Sequence, residues 1–255
     1  MKHKLTHSIP AGFLLLLAIP SVAQNPDIAY DRPTTVTLHE LSHRVPRRAS
    51  REFAVGMKAS ANNNQQDAII HLKKAISLDP EYVSAVNDLG VIYLELEQSN
   101  LAIEQFGKAI AVDPRAAFVY FNLAVAYFIQ RDYRDCERVA RQFLCLDPAA
   151  TRGMLILGIA LMLQNKFTAE AELSLRRAAQ EFPVAEIYLG VGLLNKGNIE
   201  GAREQVMTYF QSGGKDEETI QKAKHLMESI ERAAQTKHAG SPIASAVDGI
   251  RGSTF

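Results

Sequence analysis

The residues that come nearest to a catalytic arrangement are His39, Glu40 and His43, in the run His39-Glu40-Leu41-Ser42-His43. On a helix, this H-E-x-x-H spacing puts two imidazoles on one face, where they can hold zinc, and leaves the glutamate to act as a general base on metal-bound water. A metallopeptidase would use the three residues in that way. Their surroundings argue against it: Thr34-Thr35-Val36-Thr37 precede the run and Pro46 closes it, so no helical scaffold flanks the pair. No third ligand stands out in the sequence either. We read the match as a coincidence within a linker and expect no catalytic residue, no metal and no cofactor. The remaining histidines, His3, His7, His71, His225 and His238, are scattered. There is no glycine-rich phosphate loop, and serines such as Ser174 fall in helical patterns without a nucleophile elbow. Enzyme chemistry is not expected of this chain.

Cys136 and Cys145 lie nine residues apart on one expected helix, which separates their Cα atoms by about 13 Å at 1.5 Å per residue. A disulfide needs less than about 7 Å. The two therefore cannot pair while the helix is intact, and we expect free thiols. Lysine plus arginine and aspartate plus glutamate number 28 each, so no net basic field exists to attract nucleic acid.

The elements that could position any site begin after residue 46. At the N-terminus, Lys2 and Lys4 precede the apolar run Ala11–Ile19, then Pro20 and Ser21-Val22-Ala23. That is the pattern of a secretory signal with cleavage after Ala23. The run is shorter than the roughly 20 residues a bilayer needs, so no stable membrane insertion is expected once the signal is removed. Loss of Lys2 and Lys4 would leave 26 basic against 28 acidic residues. Periplasmic or secreted localisation follows as the expectation. Residues 24–46, rich in proline and β-branched residues, read as an extended arm.

From Arg47 the pattern repeats. Leu-Asp-Pro or Val-Asp-Pro ends at Pro80, Pro114 and Pro148, 34 residues apart. Registered on these prolines, Gly56 aligns with Gly90; Ala68 aligns with Ala102 and Cys136; Ala75 aligns with Ala109 and Phe143. Each unit has an apolar first helix, a polar turn, and a second helix stopped by Asp-Pro, because proline cannot continue the hydrogen-bond ladder. In residues 83–114 the packing positions are Leu89, Gly90, Tyr93, Ala102, Phe106, Ala109 and Pro114; their counterparts include Leu123, Tyr127, Leu157 and Gly158. A fourth copy has a second helix slipped by one residue, consistent with an insertion in its inter-helix turn. A fifth, 183–212, is degenerate. Residues 216–235 read as a cap with one apolar face, Ile220, Ala223, Leu226, Met227 and Ile230, and one polar face for water.

The 34-residue helix–turn–helix unit resembles the tetratricopeptide repeat. The resemblance implies an all-α, right-handed solenoid of about five repeats (49–82, 83–116, 117–150, 151–183 and 183–212) with the cap at 216–235. The solenoid would span 47–237, after a signal at 1–23 and an arm at 24–46 and before a flexible tail at 238–255. It also implies that the first helix of each repeat lines an inner groove through its second, fifth, ninth, twelfth and thirteenth positions. Those are Phe118, Phe121, Val125, Phe128 and Ile129 in the third repeat, and Arg152, Leu155, Ile159, Met162 and Leu163 in the fourth. In the fifth they are Val184, Ile187, Val191, Leu194 and Asn195.

The run Phe118–Ile129 is apolar on every side except at Asn122, so it must be covered on every side. Its own packing face uses Tyr120, Leu123, Ala124 and Tyr127, which leaves Phe121, Val125 and Phe128 for an exposed apolar groove or for neighbouring first helices. Where a carboxylate clamp would place lysine, arginine or asparagine, this chain has Asn87 but then Phe121, Leu155 and Ile187. The expectation is a non-catalytic scaffold for another, envelope-associated protein, taking an apolar or amphipathic segment. The arm, Ile28–Val45, is apolar enough to occupy the groove in the free chain. A metallopeptidase built on His39, Glu40 and His43, or a structural subunit of an envelope assembly, are the alternatives.

Overall fold

The computed structural model describes residues 39, 42–212 and 216–239. The signal at 1–23, nearly all of the arm, and the tail from 240 onward lie outside the described residues. Eleven α-helices run through the described part, and no strand occurs in it. They are α1 (Arg47–Ala61), α2 (Gln65–Leu78), α3 (Val83–Glu95), α4 (Ser99–Val112), α5 (Ala117–Ile129) and α6 (Tyr133–Leu146). Then come α7 (Thr151–Leu163), α8 (Ala169–Ala178), α9 (Val184–Asn195), α10 (Ile199–Gln211) and α11 (Glu217–Ala239).

The helices begin and end where local chemistry makes them. Asn64, Asp132, Thr168 and Asn198 open α2, α6, α8 and α10 by accepting the backbone N–H three residues on, which satisfies a donor the helix itself cannot. Asp79, Asp113 and Asp147 close α2, α4 and α6 at ψ of 91°, 94° and 86°. A residue before proline is pushed out of the α region, and each of these precedes one.

The turns inside the repeats share one geometry. Asn63, Glu97, Arg131 and Asn165 all have positive φ, between 58° and 61°, and stand 34 residues apart. The residue after each donates its N–H to a carbonyl five residues back, as in Gln98 to Tyr93 at 2.8 Å, Asp132 to Tyr127 at 2.9 Å and Lys166 to Leu161 at 2.9 Å. This left-handed closure absorbs carbonyls that the first helix leaves unpaired. In the fifth pair the position is Gly197, φ 77°, the residue type for which it carries no steric penalty.

The first and second helices bury themselves differently. In α3 every residue from Ala85 to Leu94 is buried, and in α7 every residue from Gly153 to Met162. The second helices bury only a stripe: Ala102, Gln105, Phe106 and Ala109 in α4; Cys136, Val139, Ala140 and Phe143 in α6. The first helices α3, α5, α7 and α9 are therefore interior and the second ones amphipathic skins, whereas α1 buries only Ala49 and Gly56. Burying Phe106 alone is worth about 1.5–3 kcal/mol.

Among the described residues the chain divides into two compact units, 39–166 and 167–239. The division falls inside the fourth repeat, between α7 and α8. Residues 164–168 connect those helices, where 130–132 suffice between α5 and α6. The extra length therefore lies after Asn165, since Asn165 still keeps the 34-residue turn register. In the second unit Phe167 fills the space left by the missing side chain of Gly192, with ring carbons 2.3–2.5 Å from where a Cβ would stand. Lys196 Nζ sits 4.6 Å from the centre of the same ring. Ala223, Leu226 and Ile230 of α11 are buried, and α11 packs on α9 and α10.

Candidate functional site

On α5 and α7, Phe118, Phe121, Val125, Phe128, Leu155, Ile159 and Met162 are all buried, none more than 3% exposed. The open apolar groove expected of these residues is therefore not what the free chain presents. Two contacts give the physical reason. The Phe121 ring meets Phe143 with centroids 5.5 Å apart, and the Phe128 ring meets Tyr133 at 5.9 Å. Both side chains turn toward α6, the second helix of their own repeat. The first helices also touch one another, α3 with α5 and α5 with α7. Tyr120 and Tyr127, expected on the packing face, are half-buried instead. Leu123 and Ala124 of that face are buried as well, so α5 is covered on more than one side.

In the other unit Val191 is buried and Leu194 half-buried on α9. Among the lining positions, Ile129 and Leu163 at the C-terminal ends of α5 and α7 are also half-buried, and Arg152 is exposed. The repeat-packing positions Gly56, Ala68, Ala75, Leu89, Gly90, Tyr93, Ala102, Phe106, Ala109, Leu123, Leu157 and Gly158 are buried, while Pro114 is exposed.

Asn87, the one residue suited to a carboxylate clamp, is fully buried and already engaged. Its Nδ2 donates to Asp88 Oδ1 at 3.1 Å and its Oδ1 accepts from Asn122 Nδ2 at 2.9 Å. These two bonds give the amide partners inside the core, where an unmet polar group is costly.

The structure brings His39 and His43 together. The His43 N–H donates to the His39 carbonyl at 2.7 Å, one helical turn, and their rings stack with centroids 5.2 Å apart and planes 11° apart. Glu40 lies outside the described residues. His43 Nε2 is 2.8 Å from Asp79 Oδ2, and His43 Nδ1 is 3.4 Å from Glu81 Oε2. Glu81 escaped the sequence reading because it is 38 positions from His43 and follows the Asp79-Pro80 stop. Its one signal is that the buried Asp79 carboxylate needs donors from elsewhere.

Both cysteines are free: Cys136 is buried and Cys145 exposed, on α6. Burial, followed by the nearby Asp132 and Glu137 charges, pushes the Cys136 thiol well above the ordinary range, which makes it inert. At Glu137 burial works to raise the carboxyl pKa, but hydrogen bonds from Gln164, Arg141 and Lys166 outweigh it and hold the value low. These charges tie α6 to the end of α7 and offer no reactive group. Among the described residues, no helix is long and apolar enough to cross a membrane.

An interior row of first helices, an outer row of amphipathic ones and a 34-residue turn register define a repeat fold. The sequence model described as Tetratricopeptide repeat matches residues 87–135 and 121–186. The described residues have an all-α repeat fold, and residues 87–186 match the tetratricopeptide repeat. It is 27% identical over 172 residues to the type IV pilus assembly protein PilF of Pseudomonas aeruginosa, covering 65% of this chain and 68% of that one. A solved structure of P. aeruginosa PilF superposes with a TM-score of 0.58 at 20% identity, covering 79% of this chain and 97% of the other. Another neighbour, MamA from Desulfovibrio magneticus RS-1, superposes with a TM-score of 0.62 at 15% identity over 66% and 96% of the two chains.

Proposed function

We propose that this protein is a non-catalytic scaffold that holds another protein by an apolar or amphipathic segment lying along the first helices α5 and α7. The observation that carries the reading is the composition of those helices. AFVYFNLAVAYFI has no charged side chain, its amide, Asn122, is spent inside the core, and α7 has no charge after Arg152. Such faces favour apolar or amphipathic surface. Because Phe121 and Phe128 belong to the core of their own repeat, the segment would bear on the half-buried positions at the C-terminal ends of these helices, Ile129 and Leu163. Each partly exposed apolar anchor offers at most about 1.5–3 kcal/mol, and association and ordering consume about 4–15 kcal/mol. Affinity in the micromolar range with little salt dependence is the expected outcome.

The pattern of residues 1–23 supports export to the periplasm or beyond, and the likeness to a pilus assembly protein supports a partner in the cell envelope. That likeness also favours a second reading, a structural subunit of an envelope assembly; fixed stoichiometry in a native complex would distinguish it from a reversible scaffold.

Phe121 and Phe128 are core residues, and replacing them would unfold the repeat. The test therefore uses Ile129→Glu and Leu163→Glu, together with photo-crosslinking residues at the same two positions. In a pull-down from the native cell envelope, the wild-type chain should capture and crosslink its partner. The double glutamate variant, with unchanged circular dichroism, should not. Capture by that variant at wild-type affinity would remove α5 and α7 from consideration.

A further inference from the structure

Side chains from two distant stretches converge beside the start of the first repeat. One ligand atom from each of His39, His43 and Glu81 lies within 4.8 Å of the others. The His43 ring is fixed on its far side, where Nε2 lies 2.8 and 3.0 Å from the two oxygens of the Asp79 carboxylate. Asp79 is only 5% exposed, and its Oδ1 also accepts the Glu81 backbone N–H. A carboxylate on Nε2 takes the ring proton at that nitrogen and leaves Nδ1 with a lone pair. That lone pair faces Glu81 Oε2 at 3.4 Å.

An imidazole lone pair and a carboxylate oxygen repel unless something positive stands between them. A metal ion and a proton are the two candidates. Ligand atoms about 2.0–2.1 Å from a tetrahedral zinc ion stand about 3.3–3.4 Å from each other, which matches the gap. His39 favours the metal. Its Nε2 lies 3.3 Å from the Glu81 carbonyl, a donor contact that leaves its own Nδ1 lone pair free. An imidazolium bridging Asp79 and Glu81 would need no second imidazole stacked beside it. Imidazole held from behind by a carboxylate or a carbonyl is the arrangement that orients metal-binding histidines.

We propose that His39, His43 and Glu81 bind a divalent cation of the zinc class, with Asp79 as a positioning residue behind His43. The ion pins the segment ahead of α1 to the loop between α2 and α3, and so closes the first repeat. The carboxylate ligand is Glu81, so the site does not depend on Glu40. It reverses the expectation, drawn from sequence, that no metal is held.

The full chain, stripped of metal, is titrated with zinc alone and with cobalt(II) alone. One equivalent should bind, and cobalt should give the visible absorption of a tetrahedral site. His43→Ala and Glu81→Gln should each weaken binding at least 100-fold. Glu81 is exposed, so Glu81→Gln keeps the fold and its circular dichroism. Asp79→Asn should weaken binding about 10–100-fold and shift the cobalt bands, a spectral change that a purely structural role would not produce. Glu40→Gln should bind as the wild type does. The absence of a stoichiometric cobalt spectrum, equal affinity in Glu81→Gln, or loss of binding in Glu40→Gln would each overturn the assignment.

Discussion

Asn122 Nδ2 donates to Asn87 Oδ1 at 2.9 Å, joining the first helices of consecutive repeats through two fully buried amides. In a stack otherwise held by apolar contact, this bond has a direction and a length, and it resists sliding of α5 along α3. Asn87→Ala should destabilise the chain by about 1–3 kcal/mol, because a buried donor and acceptor both lose a partner. Urea denaturation checks it through a lower midpoint.

Two glycines separate close packing from open space. A Cβ at Gly90 would lie 2.6 Å from Phe106 Cε1, whereas one at Gly107 meets nothing within 4 Å. Gly90→Ala should cost about 1–3 kcal/mol through overpacking against a ring that has nowhere to go. Gly107→Ala should stabilise α4 by about 0.5–1 kcal/mol, since alanine loses less backbone freedom on folding. Thermal midpoints should move in opposite directions.

The turn at Arg131 holds a long side chain at φ 61°. That conformation costs an L-residue about 1–2 kcal/mol, against about 0.5–1 kcal/mol for the greater freedom of glycine when unfolded. Arg131→Gly should therefore raise stability by about 0.5–1 kcal/mol, measured by chemical denaturation. No gain would mean that the side chain supplies compensating contacts.

Glu186 sits at the start of α9 with its buried Oε2 lacking a hydrogen-bond partner. Burial, assisted by the Glu204 charge, raises its pKa against the pull of Arg176. A carboxyl raised in the folded state favours folding while protonated. Its contribution is complete below the ordinary carboxylate pKa and is lost as pH rises through the raised value. Glu186→Gln should thus raise the thermal midpoint at neutral pH, and the advantage should vanish as pH falls below the ordinary carboxylate range. A pH series of melting curves on both chains reads this directly.

The helix pairs were legible in the sequence because their signals are local. Asp-Pro stops, the small residues Gly90, Ala102 and Ala109, and the 34-residue spacing all act within one repeat. The left-handed turns were not legible, since Glu97 and Arg131 are residue types that do not advertise positive φ. Which neighbour covers Phe121 and Phe128 was hidden for another reason: it depends on where Phe143 and Tyr133 place their rings. Glu81 was invisible as a ligand because only the folded first repeat brings it to His43.

The principal contacts link each helix to the next one or two in the chain. A chain wired this way closes only short loops as it folds, so little conformational entropy stands between the unfolded ensemble and the first stable pair. Refolding of the first unit should be fast, within milliseconds, and able to start at any helix pair. Each repeat can then use its finished neighbour as a template, so residues 47–112 can be in place while the rest of the polypeptide is still being synthesised.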